Sequence, residues 1–241
     1  MTRSEGSGGA GRRGRAGLAI RRMVFPALFG VIGVLILCAL GTWQVQRMQW
    51  KAGVLAEISA RIAAAPVAVP AAPDPERDRY LPVVVQGRFT GEVIEVLSGK
   101  KNVGAGVRVI EVFALVDGTR LMVDRGFLAE AARGAPRAST AGEVTGNLQW
   151  PRDGDAYTPP PDAKTGLWFA RDVAQMAAYL RATPVLIVAS AQTGDGIEAM
   201  GVDTSSIPND HLGYAVTWFL LALVWGGMTV YLLWRIGRQT V

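Results

Sequence analysis

Leu212–Trp234 reads LGYAVTWFLLALVWGGMTVYLLW, 23 residues with no charge among them. As a helix this run extends about 34 Å, longer than a hydrocarbon core of about 30 Å, so it can cross a bilayer with some tilt. Lipid offers no partner to a free N–H or C=O, which is why such a run must be helical. Pro208, Asn209, Asp210 and His211 stand at its mouth, and His211 is the sole histidine in the 241-residue chain. A second uncharged run, Val24–Trp43 (VFPALFGVIGVLILCALGTW), follows Arg21 and Arg22. It is longer than the apolar core of a signal peptide (about 7–15 residues), which favours a retained anchor. Cleavage near Ala39-Leu40-Gly41 is the competing reading.

Charge is distributed unevenly along the chain. Residues 1–22 carry six arginines against Glu5, the tail adds Arg235 and Arg238, and the stretch from Arg47 to Asp210 holds 17 basic and 19 acidic residues. This basic–acidic–basic layout places both ends in the cytoplasm and the middle across the membrane. The pI near 9.7 is then a topology signal, and nucleic acid is not an expected partner. Cys38 is the lone cysteine and lies inside the first apolar run. No disulfide or Cys/His metal cluster is available, so a translocated domain must be held by packing.

Between the runs, Ala63–Pro75 reads as an Ala/Pro linker. From Tyr80 onward, short β-branched runs alternate with Gly-containing turns: 83–89, 93–98, 107–116, 120–127, 143–150, 167–170 and 185–189. Asp172 is a candidate N-cap for one helix ending at Leu180. The expected architecture is a membrane protein whose two transmembrane helices form a hairpin around a β-rich α+β extramembrane domain. That domain is expected to be mostly antiparallel and partly closed. The expected parts are a disordered basic cytoplasmic tail (1–22), a first transmembrane helix (23–46), a helical extension and linker (47–79), a periplasmic β-rich domain (80–206), a second transmembrane helix (207–234) and a cytoplasmic tail (235–241).

Several catalytic patterns fail on context. Gly194-Asp195-Gly196-Ile197-Glu198-Ala199 fits a loose dinucleotide fingerprint, but no crossover helix has room to follow it, so it reads as a turn. Gly99–Gly104 has its lysines in the wrong order for a phosphate loop and reads as a basic hairpin tip. Asp153-Gly154-Asp155 lacks the remaining ligands of a calcium loop. With the one histidine at the second apolar run, a hydrolytic triad cannot form in the central domain. No enzymatic activity is expected.

Two features remain at the outer mouth. Trp43, Arg47 and Trp50 follow i, i+4, i+7 and share a helix face, either as an ordinary interfacial belt or as a cationic aromatic ledge for an anionic group. His211, Tyr214, Trp218, Ala222 and Trp225 form a second stripe. His211 is either a packed interfacial histidine or a ligand. A neutral imidazole binds haem iron well, and an aromatic stripe beneath it suits a flat macrocycle.

Gly41-Thr42-Trp43-Gln44-Val45-Gln46-Arg47-Met48-Gln49-Trp50-Lys51 resembles a G-x-W-Q-x-x-R-x-x-W-K signature, and Asn209–Phe219 (NDHLGYAVTWF) resembles N-x-H-x-x-Y-A-x-T-W-F. Both are signatures of the surfeit-locus (Surf/Shy) family of cytochrome c oxidase assembly factors. Gly87-Arg88-Phe89, Val123–Phe127, Val144–Leu148 and Trp168–Asp172 agree in order. The sequence departs from the pattern at Glu111-Val112-Phe113, where a Thr-Pro pair is expected, and at Asp124, where Asn is usual. The resemblance implies a two-span protein of the bacterial inner membrane that binds haem a transiently and assists its delivery to oxidase catalytic subunit I. His211 would ligate the iron, Arg47 would lie near the propionates, and Tyr214, Trp218 and Trp50 would line the site. Haem a synthase and membrane lipid are the other implied partners, and a homo-oligomer is left open. The rival reading is a membrane-anchored scaffold for nascent subunit I without a haem role. A transmembrane sensor is disfavoured because the ends are too short for an output domain.

Overall fold

The computed structural model describes residues 10–135, 137, 141–162, 164–205 and 207–239, and side chains from residue 23 onward. The chain divides into two compact units, residues 1–54 with 207–241, and residues 55–206.

The first unit is a helix pair. Helix α1 spans Ala10–Ile62 and the C-terminal helix, His211–Gln239, is α3 in chain order. Both are long and apolar enough to cross a membrane. Glycines on α1 meet larger side chains on α3: Gly30 against Thr229, Gly33 against Trp225, Gly41 against Phe219. Higher numbers on one helix face lower numbers on the other, so the pair is antiparallel. Small residues let two backbones approach where no hydrophobic effect drives helices together. The Thr229 hydroxyl bonds back to the Trp225 carbonyl at 2.8 Å, which satisfies that hydroxyl within its own helix. A disordered tail over 1–22 is not what the backbone gives from Ala10 onward: those residues extend α1, because lengthening an existing helix needs no new nucleus. Residues 1–9 of that tail lie outside the described residues.

The second unit is a sheet rolled into a ring. Its strands are β1 (Pro82–Lys100), β2 (Gly104–Leu115), β3 (Arg120–Ala129), β4 (Ala141–Gln149), β5 (Leu167–Trp168) and β6 (Leu186–Ala189). Pairings run β1–β2–β3–β6–β4 and return to β1, while β5 adds beside β1 at Glu95–Val96. The runs 83–89 and 93–98 are one strand, not two. β1 pairs with β4 over Pro82–Arg88 and with β2 from Gly87 to Lys100, and its register against β2 breaks between Phe89 and Val93 as a bulge within one strand. The sheet is mixed and not simply antiparallel, since β6 lies parallel to β3 and β5 parallel to β1. A helix between β5 and β6 makes the parallel return to β3 feasible.

Alternation along the strands sorts two cores. Val83, Val85, Phe113, Leu121, Val123 and Ile187 share one cluster. Val112, Met122, Leu186 and Val188 face the other way, beneath helix α2 (Val173–Leu180). That helix offers Val173, Met176, Ala177 and Leu180 at helical spacing. Asp172 caps it by accepting from the Gln175 N–H at 2.9 Å, as its sequence position predicts. The Ala/Pro linker is pinned as well: Val67 exchanges backbone hydrogen bonds with Pro82 and Val84 at 3.0 Å.

The turn leading into β1 is tied by Asp78. Arg77 donates to its carboxylate at 2.8 and 2.6 Å, and the Asp74 N–H donates at 2.9 Å. The guanidinium first, and that backbone amide second, hold the Asp78 pKa down at about 2. An unfolded Asp titrates near about 3.9. Because the folded value is the lower one, this contribution is complete above the unfolded value and disappears as pH falls through about 2. The difference in melting temperature between wild type and Asp78→Asn is therefore expected to shrink steadily as pH is lowered across that window. A pH-independent difference would contradict the ionic origin.

Candidate functional site

In the first unit, α3 begins at His211, so its side chain sits on the opening turn, beside α1. The His211 Nδ1 lies 2.8 Å from Gln44 Oε1. One α1 turn further along, the Asn209 amide reaches the Met48 carbonyl at 3.5 Å, and beyond it the Lys51 ammonium donates to the Pro208 carbonyl at 2.6 Å. Gln44, Met48 and Lys51 on one helix thus face Pro208, Asn209 and His211 on the other. The Asn209 Oδ1 is buried and has no hydrogen-bond partner among the described residues. His211 is half-buried, and its Nε2 accepts and donates no hydrogen bond among the described residues.

This mouth can offer three things to a ligand: a second imidazole nitrogen, an ammonium, and a carbonyl oxygen that no described residue satisfies. Imidazole ligates transition-metal ions, and Lys51 supplies a positive charge for an anionic substituent. No group of three or more His, Cys, Asp or Glu side chains able to hold a bare ion occurs among the described residues.

The residues singled out from sequence are divided by the structure. Arg47 lies over the Trp50 ring at 3.9 Å, and both are exposed on a neighbouring face of α1. Arg47 makes no ion pair among the described residues, so its charge is available there. Tyr214 is exposed, Trp218 is half-buried, and the buried seam positions of α3 are Ala215 and Ala222. Trp225 packs on Gly33, and its indole N–H is buried without a partner among the described residues. Trp225, the inner end of the aromatic stripe, is thus engaged by α1, while Tyr214 remains outward.

Gln44, Met48 and Lys51 were not singled out from sequence as site residues, although the signal for them is present. Gly30, Gly33 and Gly41 define the phase of the seam on α1, and continuing that phase gives Gln44, Met48 and Lys51. Trp43, Arg47 and Trp50 each sit one residue earlier, about 100° around the helix.

Comparison with known proteins bears on the same segments. A profile of the SURF1 family matches residues 31–223, a span that includes Gln44, Lys51 and His211. A SURF1-like protein of Monosiga brevicollis is 33% identical over 222 residues, covering 83% of this chain and 85% of that protein. Surfeit locus protein 1 of Homo sapiens is 30% identical over 208 residues, covering 76% and 69%. Its Xenopus tropicalis counterpart is 30% identical over 207 residues, covering 75% and 67%.

Proposed function

We propose that this chain, which belongs to the SURF1 family, is an assembly factor for cytochrome c oxidase that holds haem a through His211 and assists its passage to catalytic subunit I. The observation that carries this reading is the half-buried imidazole whose Nδ1 is occupied by Gln44 while its Nε2 has no partner among the described residues. Haem, if bound, would supply an iron that the His211 nitrogen could ligate.

The remaining roles belong to the chain's own residues. Lys51 and Arg47 supply positive charge for carboxylate substituents, the first at the mouth and the second on the Trp50 ledge. Asn209 presents an acceptor that a ligand donor or a water would satisfy. Tyr214, outward on α3, offers a flat apolar surface. None of these makes or breaks a covalent bond, so the chain acts by binding and release, not as an enzyme.

Helices α1 and α3 are the membrane anchors. The arginine-rich ends stay on the cytoplasmic side of a bacterial inner membrane, and residues 80–206 face the periplasm. Haem a synthase is the donor in this scheme, and lipid surrounds the helix pair.

The test is co-expression with a haem-a synthase, followed by a reduced-minus-oxidised difference spectrum and haem-to-protein ratio of the purified chain. His211→Ala is expected to lower haem retention tenfold or more and to move the absorption bands of any residue that stays. An unchanged spectrum at unchanged stoichiometry would remove the ligand assignment. If that variant also restored oxidase assembly fully in a deletion strain, the chain would be a scaffold whose work is done without haem.

A further inference from the structure

We infer that Gln44 is a positioning residue that fixes the tautomer of His211, placing the ring proton on Nδ1 and leaving the Nε2 lone pair for a ligand. This rests on the haem reading above for its purpose, but not for its geometry.

An amide oxygen has lone pairs and no proton, so across 2.8 Å to Gln44 Oε1 the Nδ1 must be the donor. Neutral imidazole carries one ring proton, and a proton held on Nδ1 leaves Nε2 unprotonated. In the observed geometry Gln44 presents its oxygen, not its amide nitrogen, to the ring. It is half-buried on the seam phase, between Gly41, which packs against Phe219, and Met48, whose carbonyl meets Asn209. With its oxygen toward the imidazole, its amide nitrogen is not left buried without a partner. Partners on the far ring nitrogen of a metal-bound histidine orient the ring and tune its basicity, typically changing affinity by about 10–100-fold when removed. An uncharged amide acceptor pulls less on the Nδ1 proton than a carboxylate does. That suits a site that must give up what it binds.

The chain contains one histidine, so histidine-selective ¹⁵N labelling reports on His211 without assignment. In ligand-free protein in detergent, at a pH where imidazole is neutral, wild type is expected to show a protonated Nδ1 and a pyridine-like Nε2. Gln44→Leu should shift the population toward the Nε2–H form, and Gln44→Glu should restore Nδ1–H. Wild-type ring shifts that persist in Gln44→Leu would overturn the inference, as would an Nε2–H tautomer in wild type. Loaded with haem, Gln44→Glu should raise the iron–histidine stretching frequency and Gln44→Leu should reduce retention by about 10–100-fold. If the tautomer responds while haem retention and the stretch do not, the positioning role stands and the ligand reading of His211 falls.

Discussion

Arg125→Ala is expected to unfold the strand ring under conditions where the wild-type protein is stable. The Arg125 side chain is fully buried. It donates to Glu111 at 2.6 Å, to the Thr193 hydroxyl at 2.8 Å, to the Thr193 carbonyl at 2.9 Å and to Asp195 at 2.8 Å, with its guanidinium 4.3 Å above the Phe89 ring. Glu111 in turn accepts from the Gly91 N–H at 2.9 Å, in the bulge that bends β1. One side chain therefore ties the bulge, the second and third strands and the 193–195 loop together. Removing it leaves the Glu111 carboxylate buried without its cation, and breaking such a pair costs about 3–5 kcal/mol. A domain is stable by about 5–15 kcal/mol in total, so the loss is a large fraction. Thermal melts of the detergent-solubilised chain followed by near-UV circular dichroism measure it. Arg125→Met with Glu111→Gln should melt above Arg125→Met alone, since the second change removes the orphaned charge. Equal melting of the two would mean that the cost is lost packing and loop contacts, not electrostatics.

That network also shows what the sequence could and could not convey. Strand period places Glu111 on the same face as Phe113, so a carboxylate pointing inward was readable from the run 107–116. Its partner was not. The register of β2 against β3 slips between Val109 and Ile110, and that irregularity leaves Arg125 without a register partner and free to turn inward. A bulge has no fixed signature in side-chain alternation, which is also why 83–89 and 93–98 read as two strands. Elements governed by local chemistry were legible: the Asp172 cap, the Gly99–Gly104 hairpin tip and the 194–196 turn, where Gly194, Asp195 and Gly196 all take positive φ. The parallel docking of β6 on β3 depends on contacts far apart in sequence, and nothing local announces it. At the mouth of the helix pair the histidine drew notice by its placement. Its α1 neighbours were missed because aromatic and cationic side chains drew attention to Trp43, Arg47 and Trp50, while the glycines that mark the seam carry no side chain to notice.

The seam glycines are not equivalent, and their neighbours rank them. A Cβ on Gly41 would come within 2.8 Å of the tip of the Phe219 ring, on a side chain exposed enough to swing aside. On Gly33 it would meet the Trp225 ring at 2.3 Å, a bulkier obstacle, though one with two side-chain torsions to adjust. On Gly30 it would lie 2.0 Å from Thr229 Cγ2 and 2.8 Å from Thr229 Cβ. A Cβ is fixed to the backbone, and the Thr229 rotamer is further held by its hydroxyl bond to Trp225. No side-chain motion relieves that clash, so the helices themselves must separate. Gly30→Leu is therefore expected to disrupt the pair most, Gly33→Leu less, and Gly41→Leu least, with overpacking costs of about 1–3 kcal/mol where the backbone has to yield. Spin labels at Leu28 and Tyr231, in a Cys38→Ser background, read the separation directly. The Gly30 variant should lengthen and broaden their distance distribution, and the Gly41 variant should leave it near wild type. A reversed order, with Gly41→Leu the most disruptive, would mean that the pairing is held at the His211 end and not along the glycine seam.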